Sequence, residues 1–277
     1  CGGGGSGASA DGVIVVNSVE PENPLVPTNT TEVGGGNVLD AMFTGLVAYD
    51  EFTSEPYNEV AESIETDDNK VYTIKLKQGW TFHDGSPVTA ESFVKAWNYA
   101  AYAPNGQSTA SFFEHIQGYD EVNPPDPDGD QGPQKAPEPS AKEMSGLKVI
   151  DDLTFEVTLK TPFATFPTML GYTAFSPLPE KFFQDPKGFE EHPIGNGPFK
   201  FEDRQPNAYI KLTKYEDYAG KNKPQINGVE FRIYNELETA YQDLVSGNLD
   251  FLDRLPASAM VGDKWEADLQ GRGAKKP

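Results

Sequence analysis

The sequence predicts an α/β fold, in which strands and helices alternate along one chain. Residues 71–77 alternate polar and apolar side chains with the period of two that a half-buried strand requires, and a helical pattern follows over 89–101. Further along, a strand pattern at 229–234, a helical pattern at 238–246 and a strand pattern at 249–252 follow at short spacing. Strand, helix and strand at this spacing favour a right-handed parallel crossover.

The first element is a predicted strand over the β-branched run 13–16. Residues 20–27 contain three prolines, so neither a strand nor a helix continues there. Residues 37–50 place apolar side chains at helical spacing, and the glycines at 34–36 offer a flexible entry. We therefore expect a buried strand, an irregular loop and then one amphipathic helix over 37–50.

The half-buried strand at 71–77 leads through a turn at 83–87 into the next helix. Thr89 is suited to cap this helix, with Glu91 in the first turn where the helix dipole favours a negative charge. The apolar side chains of the helix line one face, so we expect it to pack on the preceding strand.

The middle of the chain is predicted to run over the surface and return as a hairpin. Residues 103–140 contain many prolines and glycines, which favour a long surface excursion of weak order. Residues 147–160 then combine an apolar run, a turn at Asp151 and Asp152, and alternation through the second half, as a β-hairpin does. After the helix predicted at 238–246, Gly247 is placed to end it in the left-handed conformation.

Composition excludes several classes of protein. The 277 residues are 37% hydrophobic, which is enough to fill a core. The formal net charge of −21 repels nucleic-acid phosphates and anionic lipid headgroups, so neither is expected as a partner. The apolar runs are far shorter than the roughly 20 residues that span a bilayer.

Cys1 is the only cysteine, so no intramolecular disulfide or CxxC pair is possible. It is followed by glycine, serine and alanine through residue 10, which predicts a flexible tether over 1–11. This beginning resembles the mature end of a bacterial lipoprotein, and the resemblance implies a lipid on Cys1. A Gly/Ser run is also typical of an engineered linker.

The sequence offers no pattern typical of catalysis or metal binding. The three histidines, His83, His115 and His192, are too far apart to form a ligand cluster, and no two carboxylates stand out as an acid/base pair. Residues 195–198 contain two glycines but lack the lysine and the following helix of a phosphate-binding loop. We predict no catalytic residue, no metal and no cofactor.

Four stretches together carry a family resemblance. Residues 61–64, 71–77 and 79–92 (GWTFHDGSPVTAES) resemble one continuous signature that ends in FHDGxPxTAxD, although Ser92 replaces the usual aspartate. Residues 148–157 are similar to a "vvDdyTv" hairpin. Residues 193–201 are similar to "P.GTGPY.f", with Asn196 in place of threonine, and residues 238–250 are similar to "r..al..GeiDi". The chain thus resembles the peptide- and nickel-type extracellular solute-binding proteins that serve ABC importers.

The resemblance implies a type II periplasmic-binding-protein-like α/β lobe of the peptide-binding subclass, with an inserted α+β subdomain. Lobe I would comprise 12–38 and 166–255, the inserted subdomain 39–165, and the start of a second lobe 256–277. Family members are commonly about twice this length and close two lobes around the ligand. We therefore expect this sequence to be the N-terminal portion of such a protein, without most of its second lobe.

The function implied is capture of oligopeptides or dipeptides for uptake, without catalysis. The partners would be a peptide and the permease subunits, and a monomer is expected outside the cell membrane, in the periplasm or attached through Cys1. Because extended peptides pair with main-chain edges, we predict ligand contacts near the exit of the first strand and the wall at 195–198. The predicted ligand-binding residues are Glu20, Asn23, Leu25, Phe175, Asn196, Gly197, Pro198 and Tyr234.

Two alternatives remain open at this point. The ligand could be an oligosaccharide or a nickel complex instead of a peptide. An exported hydrolase that uses a carboxylate pair is the alternative from another class, and turnover that depends on one acidic residue would favour it.

Overall fold

The structure, a computed structural model, describes residues 11–270, so residues 1–10 of the predicted tether and the last seven residues of the chain lie outside the described part. The described residues form two compact units. Unit 1 contains residues 11–22, 199–214 and 224–270, and unit 2 contains residues 23–198 and 215–223. The limits of these two units differ from those of the lobe and the inserted subdomain expected from the sequence. The boundaries of that lobe and subdomain stay a prediction.

The strands follow one another along the chain as β1 (Val13–Ser18), β2 (Val47–Tyr49), β3 (Pro56–Asn58), β4 (Ala61–Glu65), β5 (Val71–Leu76), β6 (Leu147–Asp151), β7 (Thr154–Thr158), β8 (Phe199–Gln205), β9 (Tyr209–Lys214) and β10 (Gly228–Ile233). The α-helices are α1 (Val33–Met42), α2 (Ala90–Ala101), α3 (Tyr119–Val122), α4 (Glu180–Gln184), α5 (Pro186–Glu191), α6 (Leu237–Ser246), α7 (Ala257–Met260) and α8 (Lys264–Asp268).

Unit 1 is built on a four-stranded sheet with the order β1-β10-β9-β8. β1 and β10 run parallel, from the pair Val13 and Gly228 to the pair Ser18 and Ile233, and the other neighbours are antiparallel. The predicted strand at 249–252 is reduced to a single parallel bridge between Phe251 and Val16. The strand-helix-strand order predicted from the sequence is therefore present, although its last strand is only one bridge long.

The helices of unit 1 form a small apolar core. α6 ends at Gly247, which has the predicted left-handed conformation (φ 89°, ψ 8°). Tyr241 of α6 packs with Ala259 and Leu269, and its hydroxyl donates to Asp268 Oδ2 at 2.6 Å. Residues 257–268, assigned from the sequence to the start of a second lobe, thus pack on α6 within unit 1.

Unit 2 contains an antiparallel sheet with the order β4-β5-β7-β6, on which α2 packs. β5 buries Tyr72, Ile74 and Leu76 as its alternation predicted. α2 begins after Thr89 as predicted, and the backbone N–H of Thr89 donates to Ser92 Oγ at 3.0 Å. Ser92, where the family signature has aspartate, therefore still supplies the acceptor that this helix start requires. The hairpin predicted over 147–160 is also confirmed.

The predicted helix over 37–50 is wrong at both ends. α1 starts at Val33 because the carboxylate of Glu32 accepts the N–H of Gly35 at 2.7 Å, which stabilises a helix start inside the glycine run. The chain becomes extended at Phe43 (φ −124°, ψ 144°), and residues 47–49 form β2. Apolar side chains at helical spacing here belong to two different elements.

The surface excursion predicted over 103–140 is only partly correct. Its first half forms short helical turns, and it buries Phe113, Ile116 and Val122 in the core. Thr109 donates its hydroxyl proton to the carbonyl of Thr28 in a buried hydrogen bond. The stretch after α3, up to residue 143, is irregular and mostly exposed, as the prolines and glycines predicted.

Candidate functional site

One edge of the unit 1 sheet brings several polar groups together. β1 and β10 are parallel and end side by side at Ser18 and Ile233. Because β9 runs antiparallel to β10, the turn between β8 and β9 reaches the same edge. Ligands of open α/β sheets bind outside the carboxyl ends of the strands. We call residues 18–20, 204–208 and 234 the carboxyl edge and treat it as the candidate site.

Glu20 lies at this edge, just beyond the end of β1. Its Oε1 accepts from Arg204 Nη2 at 2.8 Å, and its Oε2 accepts from the backbone N–H of Asn207 at 2.9 Å. Both charged side chains are less than one-third exposed, which strengthens charge-assisted hydrogen bonds. Glu20 therefore holds the β8–β9 turn in place, and the exposed residue beside it is Val19.

Tyr234 is the second predicted residue at the carboxyl edge. Its backbone N–H donates to the carbonyl of Ser18 at 3.0 Å, and its hydroxyl donates to Asp243 Oδ2 at 2.6 Å. Burial and the nearby Asp243 carboxylate raise the pKa of Tyr234 to about 12. Tyr234 thus ties the end of β10 both to β1 and to α6.

We expect the stability of the protein to fall between about pH 10 and 12, in part through Tyr234. The native state keeps the phenol proton that an unfolded tyrosine loses near pH 10, so this contribution is complete below pH 10 and is lost as pH rises towards 12. Tyr234→Phe should flatten this decline and remove one late-titrating phenol from an absorbance titration at alkaline pH. An unchanged number of late-titrating phenols would contradict the Tyr234–Asp243 contact.

Three residues of this region were not found from the sequence. Arg204 and Asn207 flank a strand turn, and only the pairing of β8 with β9 brings them to Glu20. Asp253 exchanges two hydrogen bonds with Asn17, at 2.9 and 3.0 Å, through contacts 236 residues apart in sequence. The signal that the sequence offered for this turn was the pair Pro206 and Asn207, which lies between two stretches of alternating polar and apolar residues.

The predicted wall at 195–198 lies in unit 2, where it binds the end of α1. Asn196 is fully buried and exchanges two hydrogen bonds with the backbone of Thr44, both at 2.9 Å. The N–H of Gly197 donates to the carbonyl of Met42 at 2.7 Å, and the carbonyl of Pro198 accepts from the N–H of Tyr215 at 2.8 Å. The wall is therefore a fixed backbone surface.

His83 holds the same segment from the other side. Its Nδ1 accepts from the N–H of Gly195 at 3.1 Å, and its Nε2 lies 3.0 Å from the carbonyl oxygen of Gly197. These two partners require a neutral imidazole with the proton on Nε2. The ring of Tyr215 packs against the imidazole with centroids 4.8 Å apart. His83 thus stabilises the backbone conformation of the wall.

The remaining predicted residues, Asn23, Leu25 and Phe175, also belong to unit 2. Leu25 and Phe175 are fully buried, and Phe175 lies in an aromatic cluster with Trp97, while Asn23 is half-buried. The side chains of Leu25, Phe175 and Asn196 are enclosed by protein, so only their backbone could meet a ligand in this conformation. Ligand contact stays a prediction for all eight residues.

Elsewhere the structure shows little that could serve chemistry. Within residues 11–270, no group of three or more His, Cys, Asp or Glu side chains is placed to hold a metal ion. One open depression at the end of β4 is lined by Glu65, Thr66, Asp67, Asp68, Val71 and Thr73. The Asp68 carboxylate there accepts from the N–H groups of Lys70 and Val71, which lowers its pKa, so it stabilises the hairpin turn.

Comparisons with known sequences agree on one family. Residues 55–267 match the family described as "Bacterial extracellular solute-binding proteins, family 5 Middle". The oligopeptide-binding protein OppA of Bacillus subtilis is 25% identical over 286 residues, which cover 97% of this chain and 50% of that protein. The dipeptide-binding protein DppE of the same organism is 29% identical over 250 residues, which cover 87% of this chain and 43% of that protein. The chain spans about half the length of the curated relatives it matches.

Solved structures agree on the fold. The Escherichia coli murein tripeptide binding protein MppA matches with a TM-score of 0.81 at 22% identity, over 95% of this chain and 50% of that chain. Haemophilus influenzae OppA in complex with RPPGFSPFR matches with a TM-score of 0.78 at 25% identity, over 95% of this chain and 50% of that one. The predicted fold class, a type II periplasmic-binding-protein-like α/β lobe, is confirmed.

The family match extends over more than half of the chain and includes the FHDG segment and all of the other stretches that carried the resemblance. In the part of the chain that the structure describes, no helix has the length and apolar character needed to cross a membrane. The chain belongs to the bacterial extracellular solute-binding proteins of family 5.

Proposed function

We propose that this chain captures peptides outside the cell membrane as part of the substrate-binding component of an ABC importer. The observation that carries the proposal is the family match over 55–267, together with relatives whose names state oligopeptide and dipeptide binding. The carboxyl edge of unit 1 supports it, because this is where an α/β sheet offers main-chain groups to a ligand.

The exit of β1 is the part of the edge that best suits an extended peptide. One side of β1 is paired with β10 along its whole length, and on the other side Val15 and Asn17 are hydrogen-bonded to Asp250 and Phe251. β1 itself is therefore occupied on both sides, so the open main chain begins after it. Beyond Ser18 the chain leaves the sheet, and the Val19 side chain is 52% exposed. A peptide in extended conformation could pair with such a main-chain segment and leave its side chains unconstrained.

The carboxylates of this region favour binding over hydrolysis. Glu20 accepts from Arg204 and Asn207, Asp243 accepts from Tyr234, and Asp253 accepts from Asn17. An acid/base pair needs carboxyl groups that can reach a substrate and exchange protons with it. These three carboxylates instead hold the protein together, which makes the hydrolase alternative the weaker one.

The finer proposals concern location and partners. We infer attachment to the outer face of the membrane through a lipid on Cys1, delivery of the peptide to permease subunits, and a monomeric state. Cys1 lies outside the described residues, and the proposal for it depends on the Gly/Ser/Ala sequence that follows. Intact mass measured on protein extracted from membranes should exceed the polypeptide mass by that of the lipid, and a mass without this increment would contradict the anchor.

Peptide capture is tested by calorimetric titration of a short-peptide mixture. We expect heat of binding from a version extended to the full length of the relatives, and a weaker response or none from the 277-residue chain, since two-lobed binding proteins close around their ligands. Maltotriose and a nickel–histidine complex, titrated under the same conditions, serve as probes of the alternative ligands. Heat from either probe, with none from peptides, would contradict peptide capture.

A further inference from the structure

An exposed aromatic surface lies in unit 2, apart from the segment at 195–198. Its rings belong to Tyr49 of β2, Phe112 and Tyr172. The Tyr172 ring centroid lies 6.3 Å from the ring centroids of both Tyr49 and Phe112. Phe112 is 36% exposed and Tyr172 is 47% exposed, so two neighbouring aromatic rings are each partly accessible to solvent. We call these three residues the aromatic platform.

Two rings of the platform, those of Phe112 and Tyr49, are fixed by contacts with the protein around them. The Phe112 ring packs edge-on against the buried Phe175 ring, with centroids 6.2 Å apart. The Tyr49 hydroxyl donates to the carbonyl of Thr168, and a side chain at Gly171 would place its Cβ only 2.5 Å from the Tyr49 ring. Rings that are already ordered lose little conformational freedom when a ligand packs on them.

A carboxylate without an ionic partner stands next to the platform. Asp40 of α1 accepts from the hydroxyl of Thr173, the neighbour of Tyr172, at 3.1 Å. Within residues 11–270, Asp40 forms no ion pair. Surrounding groups partly remove its water and raise the pKa of Asp40, while its side chain keeps an exposed surface. A bound cation would offset this loss of hydration.

We propose that Asp40 and the aromatic platform form a subsite for a basic side chain, preferably arginine, of a bound peptide. A guanidinium group can stack on the exposed face of a tyrosine or phenylalanine ring and also donate hydrogen bonds to a carboxylate. The net charge of −21 adds a general attraction for cations. The inference rests on the proposed peptide capture and goes further, because it names the class of peptide preferred.

The subsite itself is tested without any peptide, by NMR titration of the 277-residue chain with methylguanidinium. Labelled aspartate and aromatic side chains report the position of binding. We expect shifts confined to Asp40, Phe112, Tyr172 and their neighbours, and their loss in Asp40→Asn. Asp130→Asn is the matched control, since it removes one exposed carboxylate elsewhere on unit 2 and should leave the shifts unchanged. Absence of shifts at Asp40 and Tyr172 would overturn the subsite.

The preference for basic peptides is tested on the version extended to full length. Ala-Arg-Ala is compared with Ala-citrulline-Ala, which has nearly the same shape but carries no side-chain charge. We expect about tenfold tighter binding of the arginine peptide, and equal binding of both in Asp40→Asn. Equal binding of both by the unmodified protein would overturn the inference while leaving peptide capture intact. Binding of neither peptide, despite methylguanidinium shifts, would count against peptide capture and not against the cation subsite.

Discussion

Gly197→Ala is expected to lower the free energy of unfolding by about 3 kcal/mol or more, the upper range for overpacking a fixed site. A Cβ at this position would lie 2.4 Å from the carbonyl carbon of Met42 and 2.6 Å from the N atom of Phe43. Both neighbours are backbone atoms at the end of α1, so they cannot move aside as a flexible side chain would. The hydrogen bond from Gly197 to Met42 would also be broken or stretched.

Gly36→Ala is the matched control for this substitution. Gly36 lies inside α1, and a Cβ there would meet no atom within 4 Å. Alanine is the better helix former by about 1 kcal/mol, so this variant should be as stable as the parent or slightly more stable. Urea unfolding followed by fluorescence of Trp80 and Trp97, both in unit 2, measures the two variants. A Gly197→Ala protein as stable as the parent would contradict the close approach to α1.

The same geometry explains the glycines of the "P.GTGPY.f" resemblance. A Cβ at Gly195 would lie 2.0 Å from the carbonyl oxygen of Met42. Two glycines in three residues are therefore required by the close passage of one backbone along another. Asn196 stands between them because its amide can bond both the N–H and the carbonyl of Thr44. A threonine hydroxyl offers its donor and its acceptor on one oxygen of a shorter side chain, so it would meet these two backbone groups with a different geometry.

Trp97→Ala is expected to destabilise the protein by about 3–5 kcal/mol, the usual cost of removing a large core side chain. Trp97 is fully buried, and its ring contacts those of Phe93, Phe113, Phe155 and Phe175, with centroids 5.4 to 6.3 Å apart. Its indole N–H donates to the carbonyl of Phe175 at 3.1 Å. The substitution would therefore leave a cavity and an unsatisfied buried carbonyl.

Phe52→Ala provides the contrasting case. Phe52 is 93% exposed in the turn between β2 and β3, so loss of its ring should change the free energy of unfolding by no more than about 0.5 kcal/mol. Urea midpoints, with fluorescence of the other tryptophans and circular dichroism as probes, compare the two variants. A loss below about 1 kcal/mol for Trp97→Ala would show that this cluster is not the centre of unit 2.

Local patterns predicted the elements whose stability depends on neighbours in sequence. The alternation at 71–77 identified β5, and Thr89 identified the start of α2, since a strand face and a helix cap are each defined within a few residues. The hairpin of β6 and β7 was found in the same way. The FHDG stretch and its neighbours also identified the family.

Local patterns failed where a distant segment decided the outcome. Residues 37–50 have helical spacing, but Thr44 is held by Asn196, 152 residues away, and the chain after Phe43 joins a strand pair instead. Phe113 was assigned to a surface excursion, yet it packs under Phe175. A composition rich in turn residues does not show which apolar side chains of the segment are buried in the core.

The sequence by itself determined the family and the α/β class, and it predicted Glu20 and Tyr234 as ligand-binding residues, which stays a prediction. Only the tertiary structure decided that Arg204 and Asn207 meet Glu20, and that Leu25 and Phe175 are enclosed in the core. The physical reason is the separation along the sequence of the groups that interact. Caps, turns and periodicity act over a few residues, whereas an ion pair, a buried ring or a glycine against another backbone depends on segments that only the folded chain brings within a few ångströms.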